Sequence, residues 1–144
     1  QYTDDELFRE VVLNVTNTFR RQHNATSLAW NDTLANAAKD WSDECGFEHS
    51  GGPYGENLAS GYNNATSAVL GWGMERERYS FQGGEFSTTT GHFTQLVWKA
   101  TTNVGCARAD CNDRGSAPGW FVVCEYWPGG NVVGNFTENV QAEV

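Results

Sequence analysis

From Asp5 to Arg21 the apolar residues fall at Phe8, Val11, Val12, Val15 and Phe19, the three- and four-residue steps of one helix face. A second stripe, Leu34, Ala37, Ala38, Trp41 and Cys45, follows Asn31 and Asp32, either of which can cap a helix start; Gly46 stops it. Gly46 to Gly61 is dense in glycine and reads as loop. A third stripe, Ala65, Ala68, Val69, Trp72 and Tyr79, predicts a helix from Asn64 to Tyr79. Glu75 falls on that stripe, where a carboxylate needs a partner, whereas Glu77 points to solvent. Period alone leaves Gly91 to Trp98 ambiguous. Val104 to Ala109 and Trp120 to Trp127 are β-branched and aromatic and read as strands, the second ended by Pro128-Gly129-Gly130. Helices first and strands late predict an α+β sandwich.

One domain is expected over residues 1–144, with short flexible tails at about 1–4 and 137–144. Eighteen Asp and Glu against nine Lys and Arg give a net charge of −9, which repels nucleic acid and strongly anionic membranes. No apolar run approaches the roughly 20 residues of a membrane span, so stable membrane insertion is not expected. The chain shows no leader, and Gln1 suits a mature N-terminus left by removal of one. N-x-Ser/Thr acceptors at Asn14, Asn24, Asn31, Asn64 and Asn135 point to secretion and glycosylation. Cys45, Cys106, Cys111 and Cys124 lack zinc-knuckle spacing and read as two disulfides, with three possible connectivities.

The candidate chemistry lies in His49, Glu56, Glu75 and His92. Two imidazoles and two carboxylates suit a weakly bound Zn²⁺, or Mg²⁺ held partly through water; the plainer alternative is a pair of surface histidines. His23 has no such companions and reads as a surface residue. Tyr79, Phe81 and Phe86 are strung along a loop containing Gly83 and Gly84. They either plug the core or clasp a flat apolar ligand.

The segment Gly91-His92-Phe93-Thr94-Gln95-Leu96-Val97-Trp98-Lys99-Ala100-Thr101 resembles the first signature of the CAP superfamily: the cysteine-rich secretory, antigen 5 and pathogenesis-related group-one proteins. Gly55-Glu56-Asn57 matches its G-E-N motif. Val122-Val123-Cys124-Glu125-Tyr126-Trp127-Pro128-Gly129-Gly130-Asn131 is similar to its C-N-Y-x-P-x-G-N signature, with Glu125 in place of the small polar residue. Near the start, Thr16-Asn17-x-x-Arg20 keeps the Asn and Arg of H-N-x-x-R.

The resemblance implies an α-β-α sandwich around a three-stranded antiparallel sheet, with residues 92–98 helical and Phe93, Leu96 and Val97 facing inward. It implies disulfides Cys45–Cys111 and Cys106–Cys124, and a cleft tetrad of His49, Glu56, Glu75 and His92. The missing third bridge and the Tyr79–Phe86 string look most like the fungal branch, where this string is implicated in sterol binding. That branch binds sterols, notably acetylated ones, and some members take free fatty acids in a groove between helices. The implied function is a secreted lipid carrier, monomeric or weakly dimeric, rather than an enzyme. The alternatives are a metal-assisted hydrolase with Glu56 or Glu75 as general base, and a secreted interaction module.

Overall fold

A computed structural model describes residues 1–144. Helix α1 spans Asp5–Gln22 and starts where the Asp4 carboxylate accepts the Leu7 N–H at 3.0 Å. Its buried face holds Phe8, Val12 and Phe19 as expected, and adds Thr16 and Arg20. Strand β1 is only Ala29–Trp30. Helix α2, Asp32–Ser42, is capped by Asn31, which accepts from the Leu34 N–H at 3.0 Å.

Strand β2, Gly55–Ser60, lies inside the stretch read as loop. Helix α3 runs Ala65–Met74 with Asn64 as its cap. It gives way to a 3₁₀ turn over Glu75–Arg78 instead of continuing to Tyr79. Helix α4 is Gly91–Leu96, with Phe93, Leu96 and Val97 fully buried. Strands β3, Asn103–Asp110, and β4, Trp120–Trp127, precede a last turn of helix, α5, at Phe136–Asn139.

The sheet corrects the expectation of three antiparallel strands. It has four, in the order β1-β3-β4-β2, and β1 pairs parallel to β3 through Ala29–Asn103 and Trp30–Val104. Alternation along the strands splits the core in two. Leu58, Ala107, Ala109, Phe121 and Val123 pack toward α2. Ala59, Val104, Cys106, Val122, Cys124 and Tyr126 pack with buried residues of α1, α3 and α4. Each layer holds one disulfide, Cys45–Cys111 and Cys106–Cys124.

The ends do not form the expected tails. Tyr2 is buried and stacks on Trp120 at 4.8 Å, Phe136 and Val140 are buried, and the Val144 N–H donates to the Gln22 carbonyl. His23 is not at the surface. Its ring is buried against Phe93 and Phe81, its Nδ1 lies 2.8 Å from the Gln141 carbonyl, and burial lowers its pKa.

Candidate functional site

The tetrad forms two carboxylate–imidazole pairs. Glu56 sits on β2 directly opposite Glu125 of β4. Its Oε1 lies 2.8 Å from His49 Nδ1 and accepts the Ser50 N–H at 2.9 Å, while Oε2 accepts the Ser50 hydroxyl at 2.7 Å. Glu75, at the head of the 3₁₀ turn, holds the second pair: Oε2 lies 2.7 Å from His92 Nδ1, and Oε1 accepts the Phe93 N–H at 3.1 Å. The predicted awkwardness of Glu75 on an apolar stripe is resolved here. The helix ends at Met74, and the carboxylate caps the incoming α4 segment and orients His92, which also stacks on Trp72.

The two pairs approach β2 from opposite faces. Glu56 alternates with Leu58 on the α2 side; Asn57 points the other way, donating to the His92 carbonyl at 3.0 Å and to the Tyr126 hydroxyl at 3.3 Å. No group of three or more His, Cys, Asp or Glu side chains converges as metal ligands. Each pair leaves an imidazole Nε2 clear of its carboxylate partner.

Electrostatics around Glu56 depend on Glu125, the residue that departs from the family signature. Burial raises Glu125, and its hydrogen bond to Glu56 raises it further, to about 10, so it is a neutral acid. Burial alone would raise Glu56 too. Hydrogen bonds from His49, Glu125 and Ser50 outweigh that and hold it down at about 2. The bond to Glu56 raises His49 in turn. The result is a chain running from neutral acid to carboxylate to imidazole.

Of the loop aromatics, Tyr79 belongs to the main core and Phe81 is half-buried against it; only Phe86 is open, at 50% exposure. Two of the three rings thus pack on the core and one faces solvent. Tyr79, Phe81 and Phe93 meet edge to face or tilted at 4.9–6.0 Å, with His23 completing the cluster. Phe86 lies over Gly91, where a Cβ would come 2.8 Å from its ring.

Sequence reasoning missed two residues that hold the site's walls. Arg20, fully buried and without a carboxylate partner, donates to the carbonyls of Thr26, Leu96, Trp98 and Thr101 at 2.6–3.1 Å. Its place on the α1 stripe, one turn after Thr16, was the available signal. Gln95 accepts the Gly130 N–H and donates to Thr101, and it packs so close to Gly55 that any side chain there would collide with it.

The sequon asparagines differ in setting. Asn14 and Asn135 are exposed, and Asn31 and Asn64 cap helices through Oδ1, leaving Nδ2 free of hydrogen bonds. Asn24 adopts a left-handed φ of 60° and donates its Nδ2 to Gln141.

The fold and these motifs define the CAP class, and comparison with known proteins agrees. The chain belongs to the CAP family, the cysteine-rich secretory protein family, whose model matches residues 13–126. It is similar to Protein PRY2 of Saccharomyces cerevisiae, 44% identical over 92% of this chain and 41% of that protein. It is also similar to Secreted protein PRY1 of Candida albicans, 41% identical over 94% of this chain and 33% of that protein. The chain thus spans less than half the length of these two relatives. Among solved structures, a crystal structure of NaASP2 with Zn²⁺ superposes with a TM-score of 0.73 at 24% identity, over 94% of this chain and 85% of that one. Two disulfides suit an extracellular protein, and no helix is long and apolar enough to cross a membrane.

Proposed function

We propose that the protein is a secreted lipid carrier that binds sterols at the loop joining the 3₁₀ turn to α4, and that it is not an enzyme. One observation carries the reading: between Ser80 and Thr88 the loop makes no hydrogen bond to the body of the protein. Its bonds are internal, Gly84 N–H to the Ser80 carbonyl and Thr90 N–H to the Ser87 carbonyl, with Arg78 donating to Thr89 at its base. Aromatic packing, with Gly84 set against Thr137, holds it down, and it presents Phe86 to solvent. A rigid, flat, apolar ligand can exchange with such packing at little ligand entropy cost. The acidic surface, with five glycan acceptors, keeps a protein with an apolar site in solution.

A second seat, suited to a fatty acid, is favoured by a groove of about 340 Å³ between α1 and α3. Val15, Phe19, Leu70 and Met74 line it, and Arg76 stands at one end. Arg76 is held over the Phe19 ring and beside Glu143, so a cation is available where a carboxylate head group would end. A hydrolase with a covalent intermediate is disfavoured because neither carboxylate–imidazole pair has an adjacent side-chain nucleophile: the Ser50 hydroxyl bonds to Glu56, not to an imidazole.

The test is a cholesterol titration of the wild type and Phe86→Ala. Loss of an exposed ring contact is expected to weaken binding about 5- to 30-fold, an effect of about 1–2 kcal/mol, with an unchanged melting temperature. A wild type that binds no sterol, or a Phe86→Ala variant that binds as the wild type does, rejects the assignment.

A further inference from the structure

Only three buried side-chain polar atoms in the whole molecule lack a hydrogen-bond partner: the hydroxyls of Thr16, Tyr79 and Thr90. Two of the three stand at the two ends of the same loop. Tyr79 closes the 3₁₀ turn before it, and Thr90 opens α4 after it without using its hydroxyl as a cap. Buried hydroxyls are normally paired, and an orphan marks a place where a partner is absent from the resting arrangement. Here the orphans bracket a segment that packing, without a hydrogen bond to the body between Ser80 and Thr88, holds in place.

The Tyr79 ring packs against two others. It meets Phe81 edge to face at 4.9 Å and Phe93 at 5.9 Å, and Phe81 in turn lies over His23. Phe93 belongs to α4, which Arg20 anchors, so it does not move with the loop. Lifting Ser80–Thr89 carries away Phe81 and Phe86 but leaves Tyr79 on its 3₁₀ turn and Phe93 on α4. What is uncovered is a largely apolar floor of Phe93 and the His23 ring, with the free hydroxyls of Tyr79 and Thr90 at its two ends. That suits a rigid hydrocarbon bearing an oxygen function at one end.

We propose that the Tyr79 hydroxyl is the polar anchor for the oxygen of the bound lipid, reached when the loop lifts, and that it distinguishes oxygenated sterols from bare hydrocarbon. The phenol donates to a ligand hydroxyl or ester carbonyl, so free and acetylated sterols both satisfy it. This rests on the sterol-carrier reading above. It adds a residue whose role in binding runs opposite to its role in folding: a partnerless buried hydroxyl weakens the ligand-free fold and strengthens the complex.

The experiment compares wild type, Tyr79→Phe and Thr90→Val for binding of cholesterol, cholesteryl acetate and oxygen-free 5α-cholestane, and for melting temperature without ligand. Tyr79→Phe is expected to lose about 5- to 10-fold in affinity for both oxygenated lipids, to bind cholestane as the wild type does, and to melt at the same temperature or higher. Equal loss for all three lipids, or a lower melting temperature, makes the hydroxyl structural and overturns the proposal. So does unchanged cholesterol affinity in Tyr79→Phe with a loss in Thr90→Val, which moves the anchor to the other end of the loop. A wild type that binds none of the three rejects the carrier reading itself; a wild type that binds cholesterol while Tyr79→Phe matches it on all three rejects only the anchor.

Discussion

Glu125 is a carboxyl group buried beside another carboxyl group, and at neutral pH it survives by keeping its proton. It hydrogen-bonds to Glu56 across the β2–β4 register and is almost wholly buried. Its folded pKa, about 10, lies above its unfolded value, so its contribution to stability is fully present below about pH 4.5 and is lost as pH rises toward 10. Within that window one proton is worth up to about 1.4 kcal/mol per pH unit. Glu56 has the opposite sign: its depressed pKa contributes above about 4.5 and is lost as pH falls toward 2. Glu125→Gln keeps an N–H to donate to Glu56 and has nothing to titrate. We expect its advantage over wild type in urea midpoint to be near zero at pH 5 and to widen at pH 7 and again at pH 9. Parallel pH profiles for the two proteins would show that Glu125 titrates in solvent rather than against Glu56.

At the scale of elements, what the sequence made legible depends on whether an element answers to its own periodicity or to its neighbours. The α1 and α2 stripes are local: α1 lies where the pattern puts it, and α2 starts there but ends at Ser42, short of Cys45, whose φ is 55°. Strand β4 matches its expected bounds because both its faces are buried and six of its eight residues are β-branched or aromatic. Strand β2 hid because Gly55 starts it and Glu56 and Asn57 follow, a poor strand by composition. It exists because β4 offers a six-residue register and because Gly55 alone fits beside Gln95. Helix α4, too short to show a period, was readable only from its family resemblance. The Arg20 guanidinium explains how so short a helix is held, since it gathers the carbonyls of Leu96 and Thr101, which have no backbone partner, and that of Trp98, which also accepts the Thr101 N–H. Burial lowers its pKa to about 10, so it remains charged at neutral pH. Arg20→Met keeps the apolar stem and abandons those acceptors. It is expected to cost at least about 3 kcal/mol and to speed hydrogen exchange first around residues 96–102. A loss below about 1 kcal/mol would mean that water replaces the guanidinium at no penalty.

The whole molecule is two cores on one sheet, and each is closed by its own disulfide. Cys45–Cys111 ties the end of α2 to the end of β3 across 66 residues, and Ser116 and Ala117 donate their N–H groups to the Cys45 carbonyl to complete that corner. Cys106–Cys124 crosses two strands already paired in register, across 18 residues. The candidate site was legible at this scale only in part. Residue types and family motifs name His49, Glu56, Glu75 and His92, but which face of β2 each reaches is decided by alternation along a strand that composition concealed. The two bridges differ in what they constrain. Chain entropy gives about 4 kcal/mol for closing the long loop and about 3 kcal/mol for the short one. The short bridge also joins strands whose backbone ladder persists without it. Removing Cys45–Cys111 frees the segment between α2 and β2, which carries His49. We therefore expect a Cys45→Ala/Cys111→Ala variant to lose more stability than Cys106→Ala/Cys124→Ala. The first should also release the His49–Glu56 pair, seen as His49 titrating at a lower pH by NMR, while the second leaves that titration unchanged. Equal losses with His49 unmoved in both would show that the α2 layer is held by its packing and not by its bridge.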